Sequence, residues 1–468
     1  MPRPSFFNTF THSIEPFEPI EEGKVRLYTC GPTVYNFAHI GNFRAYVFED
    51  LLQRFLEFRG YCVHRVMNLT DVDDKTIRGC RERGVSLAEF TRPFKDAFFA
   101  DLDALRIKRA DDFPEATAYV PQMIEMIAAL ESKGLAYRAE DGSVYFRIAT
   151  FPQYGALAHI RLDELKPGAR IASDEYEKEN VGDFALWKAW TPEDGDVGWE
   201  SPWGCGRPGW HIECSAMCTA LLGSQIDIHC GGEDNIFPHH EAEIAQTEGV
   251  TDEQFVRYWL HCRHLLVDGR KMSKSEGNFF TLRDLLDKGW SGREVRYVLL
   301  SVKYREPLNF TFESLEAARV AIARYDEWSR ALTEALEKGK TDLADPLPVE
   351  INTEAFETAL DDDLNISGAL GALFDVIRAS NRLMAEGKLT CAQIRTLTDW
   401  RDRVESVLAI GSDVNEDAIP ADIAALAEER AAARTAKDWT RSDALRDTLN
   451  AAGWNVKDSK DGQKLIRI

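Results

Sequence analysis

Along Val25-Arg26-Leu27-Tyr28-Thr29-Cys30 the apolar and polar positions alternate as in a strand, and the run stops at Gly31-Pro32. From Asn42 to Arg59 the period changes. Phe48, Leu51, Leu52, Phe55 and Leu56 recur at helical spacing, with Gly60 as the stop. Cys62 to Leu69 reads as a second strand that runs into polar Thr70 and Asp71. A strand, a helix and a strand in that order predict a parallel crossover, in which ligands collect at the carboxyl ends of the strands. Cys30, Thr70 and Asp71 all stand at such ends, which favours function over packing.

From about Thr117 to Ser201 the texture is different. Helical residues up to Gly134 give way to a stretch rich in Tyr, Gly, Asp and Glu, with short strands such as Ser143 to Arg147, and this reads as an insertion between two halves of a sheet domain. The alternation resumes with a strand at Gln225 to Cys230 and a helix over His239 to Glu248, with Pro238 suited to its start. A further strand is expected at Val256 to Leu266. Beyond Phe312 the pattern is almost wholly helical, over 314–338 and 353–410. Linkers are expected at 342–348 and 411–415, two more helices at 421–434 and 438–452, and a terminal strand at 464–467. The expected class is α/β: a Rossmann-like parallel sheet interrupted by an insertion, then a helical bundle and a small C-terminal domain. The divisions fall at 1–116, 117–203, 204–266, 267–312, 313–411 and 412–468.

Composition narrows this only in places. The 468 residues are 44% apolar and 29% charged, ordinary for a globular chain. No apolar run is long enough for a signal sequence or a membrane span, so a cytoplasmic protein is expected. Nine scattered cysteines do not make a disulfide framework, and Cys62, Cys80 and Cys391 read as small buried apolar residues. The net charge of −22 argues against indiscriminate nucleic-acid binding. Residues 430–468 carry +4 against −26 for the rest, so one specific RNA partner met by a local basic patch stays open.

The chemistry concentrates in two sets. Lys271-Met272-Ser273-Lys274-Ser275 puts two lysines on a short segment, as a clamp for a transferring phosphoryl group requires, although most such stretches are solvated loops. Cys30, Cys214, His239 and Glu243 are ligand types that zinc prefers, and His239 and Glu243, four apart, share a helix face. By residue type alone, buried thiols beside a solvated His/Glu face remain the favoured reading. His240 and Glu241 fall on another face and are expected not to take part.

The strings Cys30 to Tyr35, His39-Ile40-Gly41-Asn42, Asn68 to Lys75, Gly206 to Met217, Phe237 to Glu241 and Lys271 to Phe280 together resemble the cysteinyl-tRNA synthetases, a class I aminoacyl-tRNA synthetase family, along nearly the whole chain. The resemblance implies that Cys30, Cys214, His239 and Glu243 hold one Zn²⁺ that binds the substrate thiolate directly. It implies Gly31, Thr70 and Trp210 as walls of the cysteine pocket. His39 to Asn42 matches a signature that ordinarily ends in a second histidine; Asn42 stands there and still offers a hydrogen bond. His39, Gly41, Asn42, Gly232, Asp234 and Lys274 are implied at ATP, with His39, Lys271, Lys274 and Mg²⁺ stabilising developing charge. The 267–312 stretch becomes a loop and stem-contact region, and everything beyond becomes the anticodon-binding part. There Arg434, Asp443 and Asp458 are implied at the anticodon, and Trp439 and Trp454 are candidates to stack on bases. Arg263 departs from the family, which often has glycine at that point. The implied substrates are L-cysteine, ATP and tRNA(Cys), for a monomer without a membrane partner. Three rivals compete. A ligase joining cysteine to an amino sugar would lack the tail, a non-catalytic RNA-binding relative would have lost His39 or Lys274, and a zinc hydrolase leaves the lysines unexplained.

Overall fold

A computed structural model describes residues 3–160, 183–273, 277–337, 345–412, 421–459 and 462–467, and its chain divides into two compact units, 1–410 and 411–468. The heart of the first unit is a parallel sheet in the order Cys62–Met67, Lys24–Thr29, Ile226–Gly232, Val256–Cys262. Chain order reverses between Lys24–Thr29 and Ile226–Gly232, and the crevice beyond such a reversal is where open parallel sheets bind ligands. Six of the seven residues of Ile226–Gly232 are buried, as befits a strand covered on both faces.

The crossover helix is Ile40–Phe58, two residues longer at its start than its apolar period implies. The reason is a cap. The Asn42 N–H donates to His39 Nδ1 (3.2 Å), and the His39 N–H donates to Asn42 Oδ1 (3.1 Å). Gly60, at φ 91°, ends the turn that follows. A buried ion pair fixes the helix from behind: Arg296, on helix Gly292–Leu300, reaches Asp50 at 2.5 Å and also donates to the Leu408 carbonyl. Next to it, fully buried Glu49 faces Arg65 at 3.4 Å.

The expected insertion is a layer of its own. Helix Val120–Ser132 packs with an antiparallel sheet of Ala136–Arg138, Val144–Phe146, Phe184–Ala189 and Gly206–Pro208, around a core that includes Phe146, Trp187 and Trp203. Two sequence expectations change nearby. The strand expected over Val256 to Leu266 is two strands, Val256–Cys262 and Leu265–Val267, in different sheets. The helix expected from His239 begins at Glu241, because Ile236–His240 forms a wider turn around Pro238.

After Phe312–Glu337 the helical stretch is not continuous. It breaks into Glu354–Asp361, Ile366–Ala385 and Cys391–Leu408, since Asp363 and Leu364 take positive φ, Asn365 caps the next helix and Gly387 (φ 64°) ends it. The second unit has helices Ala421–Thr435 and Trp439–Ala451 and a hairpin of Trp454–Ser459 with Gly462–Arg467; the sequence reading saw only the second of those strands. Trp454 lies in this unit's core with Ile423, Leu449 and Val456, so it is no stacking platform, whereas Trp439 is 57% exposed. All nine cysteines are free. Cys80 is buried as expected, but Cys62 is exposed at the open start of its strand and Cys391 is only partly buried at a helix start.

Candidate active site

At the reversal point, Cys30 follows the end of the Lys24–Thr29 strand, Cys214 projects from helix Trp210–Leu222, and His239 and Glu243 come from the turn and helix after Ile226–Gly232. One ligand atom from each lies within 4.8 Å of the other three. His239 Nε2 and Glu243 Oε1 are 3.1 Å apart. The two Glu243 oxygens have different surroundings: Oε2 accepts from His229 Nε2 at 3.0 Å, while buried Oε1 has no hydrogen-bond partner. A carboxylate oxygen without a hydrogen-bond donor, set among two thiols and an imidazole, is what a cation would satisfy. The thiols say the same. Cys30 is pushed well up, first by its hydrogen bond to Cys214 and then by burial, so neither sulfur gives up its proton easily without a positive centre. Burial holds His239 well below its ordinary value and His211 down to about 3, which keeps both imidazoles neutral. The donor set therefore fits a soft divalent metal.

Histidine partners form the surroundings. His239 Nδ1 lies 3.0 Å from His211 Nδ1, and Trp210 stacks on His239 with centroids 4.4 Å apart. His240 does not turn away as its helix position implied. Its Nε2 is 3.2 Å from Cys30 Sγ, and its other nitrogen meets His261 at 2.8 Å. That expectation fails because Glu243 lies three residues on from His240, a spacing that also shares a helix face, and His240 Nε2 stands 3.9 Å from Glu243 Oε1. A second group of donors, Cys30, His229, His240 and Glu243, overlaps the first. Glu241 is absorbed elsewhere, accepting from the Gly155 and Ala158 N–H groups. His211 and His229 escape a reading of the sequence because their partners are far along the chain.

Beside the cluster, Gly31 and Thr70 come together, while Trp210 stands against His239. Asn68 links the first two: its Oδ1 accepts from the Gly31 N–H (2.8 Å) and its Nδ2 donates to Thr70 Oγ1 (3.2 Å). The Thr70 hydroxyl donates to Glu213 Oε2 at 3.0 Å, and burial pushes Glu213 well up. A Cβ on Gly31 would sit 1.7 Å from the Asn68 carbonyl, so only glycine fits there.

On the other side, His39 caps its helix, and the chain after the lysine segment lies against it. The Ile40 N–H donates to the Phe280 carbonyl (3.0 Å), and Phe279 packs edge-on to the His39 ring. A Cβ on Gly41 would lie 3.2 Å from the Met272 methyl, so the two signatures touch. Lys271 is exposed, its carbonyl accepting from Asn278 Nδ2 at 3.2 Å. Lys274 lies outside the described residues. At the end of its strand, the Gly232 N–H donates to Asn235 Oδ1 (3.0 Å), leaving Asp234 exposed. Arg263, the departure from the family, is accommodated by Glu233, which it reaches at 3.2 Å and which also accepts from the His264 N–H. In the second unit the Arg434 guanidinium lies over the Trp439 ring, Asp443 pairs with Arg446, and the side chain of Asp458 lies outside the described residues.

Comparison with known proteins follows the same outline. Residues 16–320 match the tRNA synthetases class I (C) catalytic domain, 355–408 the DALR domain, and 416–465 the cysteinyl-tRNA ligase anticodon binding domain. A cysteine–tRNA ligase of Chlamydia muridarum is 50% identical over 480 residues, covering 99% of each chain. One of Protochlamydia amoebophila is 48% identical over 463 residues, covering 98% of this chain and 97% of the relative. Among solved structures, Mycobacterium tuberculosis methionyl-tRNA synthetase in complex with methionyl-adenylate superposes with a TM-score of 0.61 at 16% identity, over 83% of this chain and 90% of that one. That likeness shows the fold.

Proposed function

The chain belongs to the cysteinyl-tRNA synthetases of class I, and from that premise we propose how its residues divide the work. The reaction is the ATP-dependent activation of L-cysteine to cysteinyl-adenylate and transfer of the cysteinyl group to the 3′ end of tRNA(Cys). The buried Cys/His/Glu cluster fits a metal site. We assign it one zinc ion, held by Cys30, Cys214, His239 and Glu243; when bound, it supplies a soft positive centre that favours a substrate thiolate over the hydroxyl of serine. The observation that carries this is the bare Oε1 of Glu243 facing two thiols.

The remaining roles are positional. Gly31 allows the backbone to approach the substrate, while Thr70 and Trp210 wall the pocket. Thr70 is held by Asn68 and Glu213, and Trp210 by its stack on His239. His39, Gly41 and Asn42 open a helix whose N-terminus suits phosphate, and Gly232 and Asp234 suit the ribose. Asn42 spends its side-chain oxygen on the cap, which leaves its amide for the nucleotide. With Mg²⁺ accompanying ATP, His39, Lys271 and Lys274 balance the charge that grows as the cysteine carboxylate attacks the α-phosphorus and pyrophosphate departs. No protein nucleophile is required. Arg434, Asp443 and Asp458 are assigned to the anticodon. A cytoplasmic location and a monomer belong to the same proposal, since nine free cysteines suit a reducing compartment.

The test is cysteine-dependent ATP–pyrophosphate exchange without tRNA, run beside metal analysis. Exchange with cysteine and not serine, together with one zinc per chain, supports the assignment. Active, selective, metal-free protein would overturn it. Sedimentation of the purified chain checks the monomer.

A further inference from the structure

The segment from Cys30 to His39 joins the metal cluster to the phosphate signature, and two of its side chains, Tyr35 and Phe37, stand exposed at 39% and 41%. Large exposed rings this close to an active site call for an explanation. Both carry cations on their faces. Lys75 Nζ lies 5.1 Å from the Tyr35 centroid and the Arg283 guanidinium 5.5 Å from that of Phe37. Phe37 packs edge-on to Phe94, Phe94 does so to Phe90, and Arg83 lies over both of these rings. The result is a continuous row, Arg83–Phe90–Phe94–Phe37–Arg283, with Tyr35 and Lys75 two residues along.

Two of the three cations are not consumed by carboxylates. Arg283 pairs with Asp101, but Lys75 and Arg83 make no ion pair among the described residues. In a chain of net charge −22 that combination selects a ligand with negative charge and flat apolar faces. Single-stranded nucleic acid has both, and alternating aromatic and cationic side chains are how proteins hold it.

We infer that Tyr35 and Phe37, with Lys75, Arg83 and Arg283, form the stacking platform for the single-stranded 3′ end of the tRNA. The inference rests on the reading of Cys30 and His39 as the two ends of the adenylate site. The activated carbonyl must then lie between them, and an attacking ribose hydroxyl arrives from solvent across the segment that joins them. Tyr35 and Phe37 line that approach. The bases next to the reacting nucleotide stack on the rings while their phosphates meet Lys75 and Arg83.

Steady-state charging of tRNA(Cys) by the full chain, compared with ATP–pyrophosphate exchange lacking tRNA, tests this. Tyr35→Ala and Phe37→Ala should each raise the KM for tRNA about tenfold, the usual loss for one base–aromatic stack, with exchange unchanged. Phe37→Trp and Tyr35→Phe, which keep a ring, should restore the parent KM. Arg83→Ala should flatten the dependence of log(1/KM) on log[salt] by about 0.7, the value for one lost single-strand phosphate contact. Unchanged tRNA kinetics in both alanine variants would overturn the inference and leave this face to a protein partner. Equal losses in exchange and charging would overturn it too, by reducing the rings to scaffolding. Absence of exchange in the parent chain would instead overturn the adenylation reading, and this one with it.

Discussion

Replacing Glu243 by glutamine separates what the cluster does for the fold from what it does for a metal. The carboxylate is fully buried, with His229 on Oε2 and no hydrogen bond on Oε1. Structural zinc sites bind with about 10–16 kcal/mol shared over four ligands, so one ligand is worth roughly 3 kcal/mol. Loss of the anionic oxygen should weaken zinc about 10²-fold. In the metal-free protein the sign reverses. A buried carboxylate costs several kcal/mol when uncompensated, and an isosteric amide escapes that cost. In chelator, Glu243→Gln should therefore melt at or above the parent. On adding zinc the parent should gain more, by about 2.7 kcal/mol for the 10²-fold difference in affinity. Thermal melts with and without zinc, paired with competition against a chromophoric chelator, read both quantities. Equal zinc-dependent gains and equal affinities would remove Glu243 from the ligand set.

Burial pushes the Glu49 carboxyl up to about 8 against a partial pull from Arg65. The folded chain thus keeps a proton that the unfolded chain gives up near 4.5. Stability should fall as pH rises from there to about 8, by roughly 3 kcal/mol at pH 7, and flatten above. Glu49→Gln should lack that slope, and parallel urea midpoints for the two proteins at pH 5, 7 and 8.5 would contradict it. Gly31→Ala drives a methyl into the Asn68 carbonyl; overpacking of about 1–3 kcal/mol should raise the KM for cysteine in exchange and leave that for ATP nearly unchanged. In the second unit, Trp454→Ala should cost about 3–5 kcal/mol and unfold the hairpin, as circular dichroism of the full chain will show. Trp439→Ala, at an exposed ring, should leave the fold intact and weaken tRNA charging alone.

The parallel crossover was legible because its first strand alternates up to Gly31-Pro32 and its helix repeats at the right period. The ends were not. His39 caps through a ring nitrogen, a role that hydrophobic period does not register. The strand Trp454–Ser459 goes unread because Asn455, Lys457, Asp458 and Ser459 are polar, a composition that reads as a turn-rich tail. At the site, the residue types of Cys30, Cys214, His239 and Glu243 pointed to a metal, and the fold brings their ligand atoms together. His240 is expected on another face, yet it is three residues before Glu243, a spacing that shares a helix face, and it reaches the sulfur of Cys30. Asn68, Glu213 and His229 act by holding other side chains, and nothing in their own types announces a partner 37, 143 or 14 residues distant.

The cap at the start of helix Ile40–Phe58 has a consequence for protons. An imidazole whose Nδ1 takes a backbone N–H carries its own hydrogen on Nε2 when neutral. His39 is thereby held in one tautomer, with its hydrogen on the ring edge opposite the cap. One short contact at the first turn therefore does two jobs, opening the helix and orienting the ring.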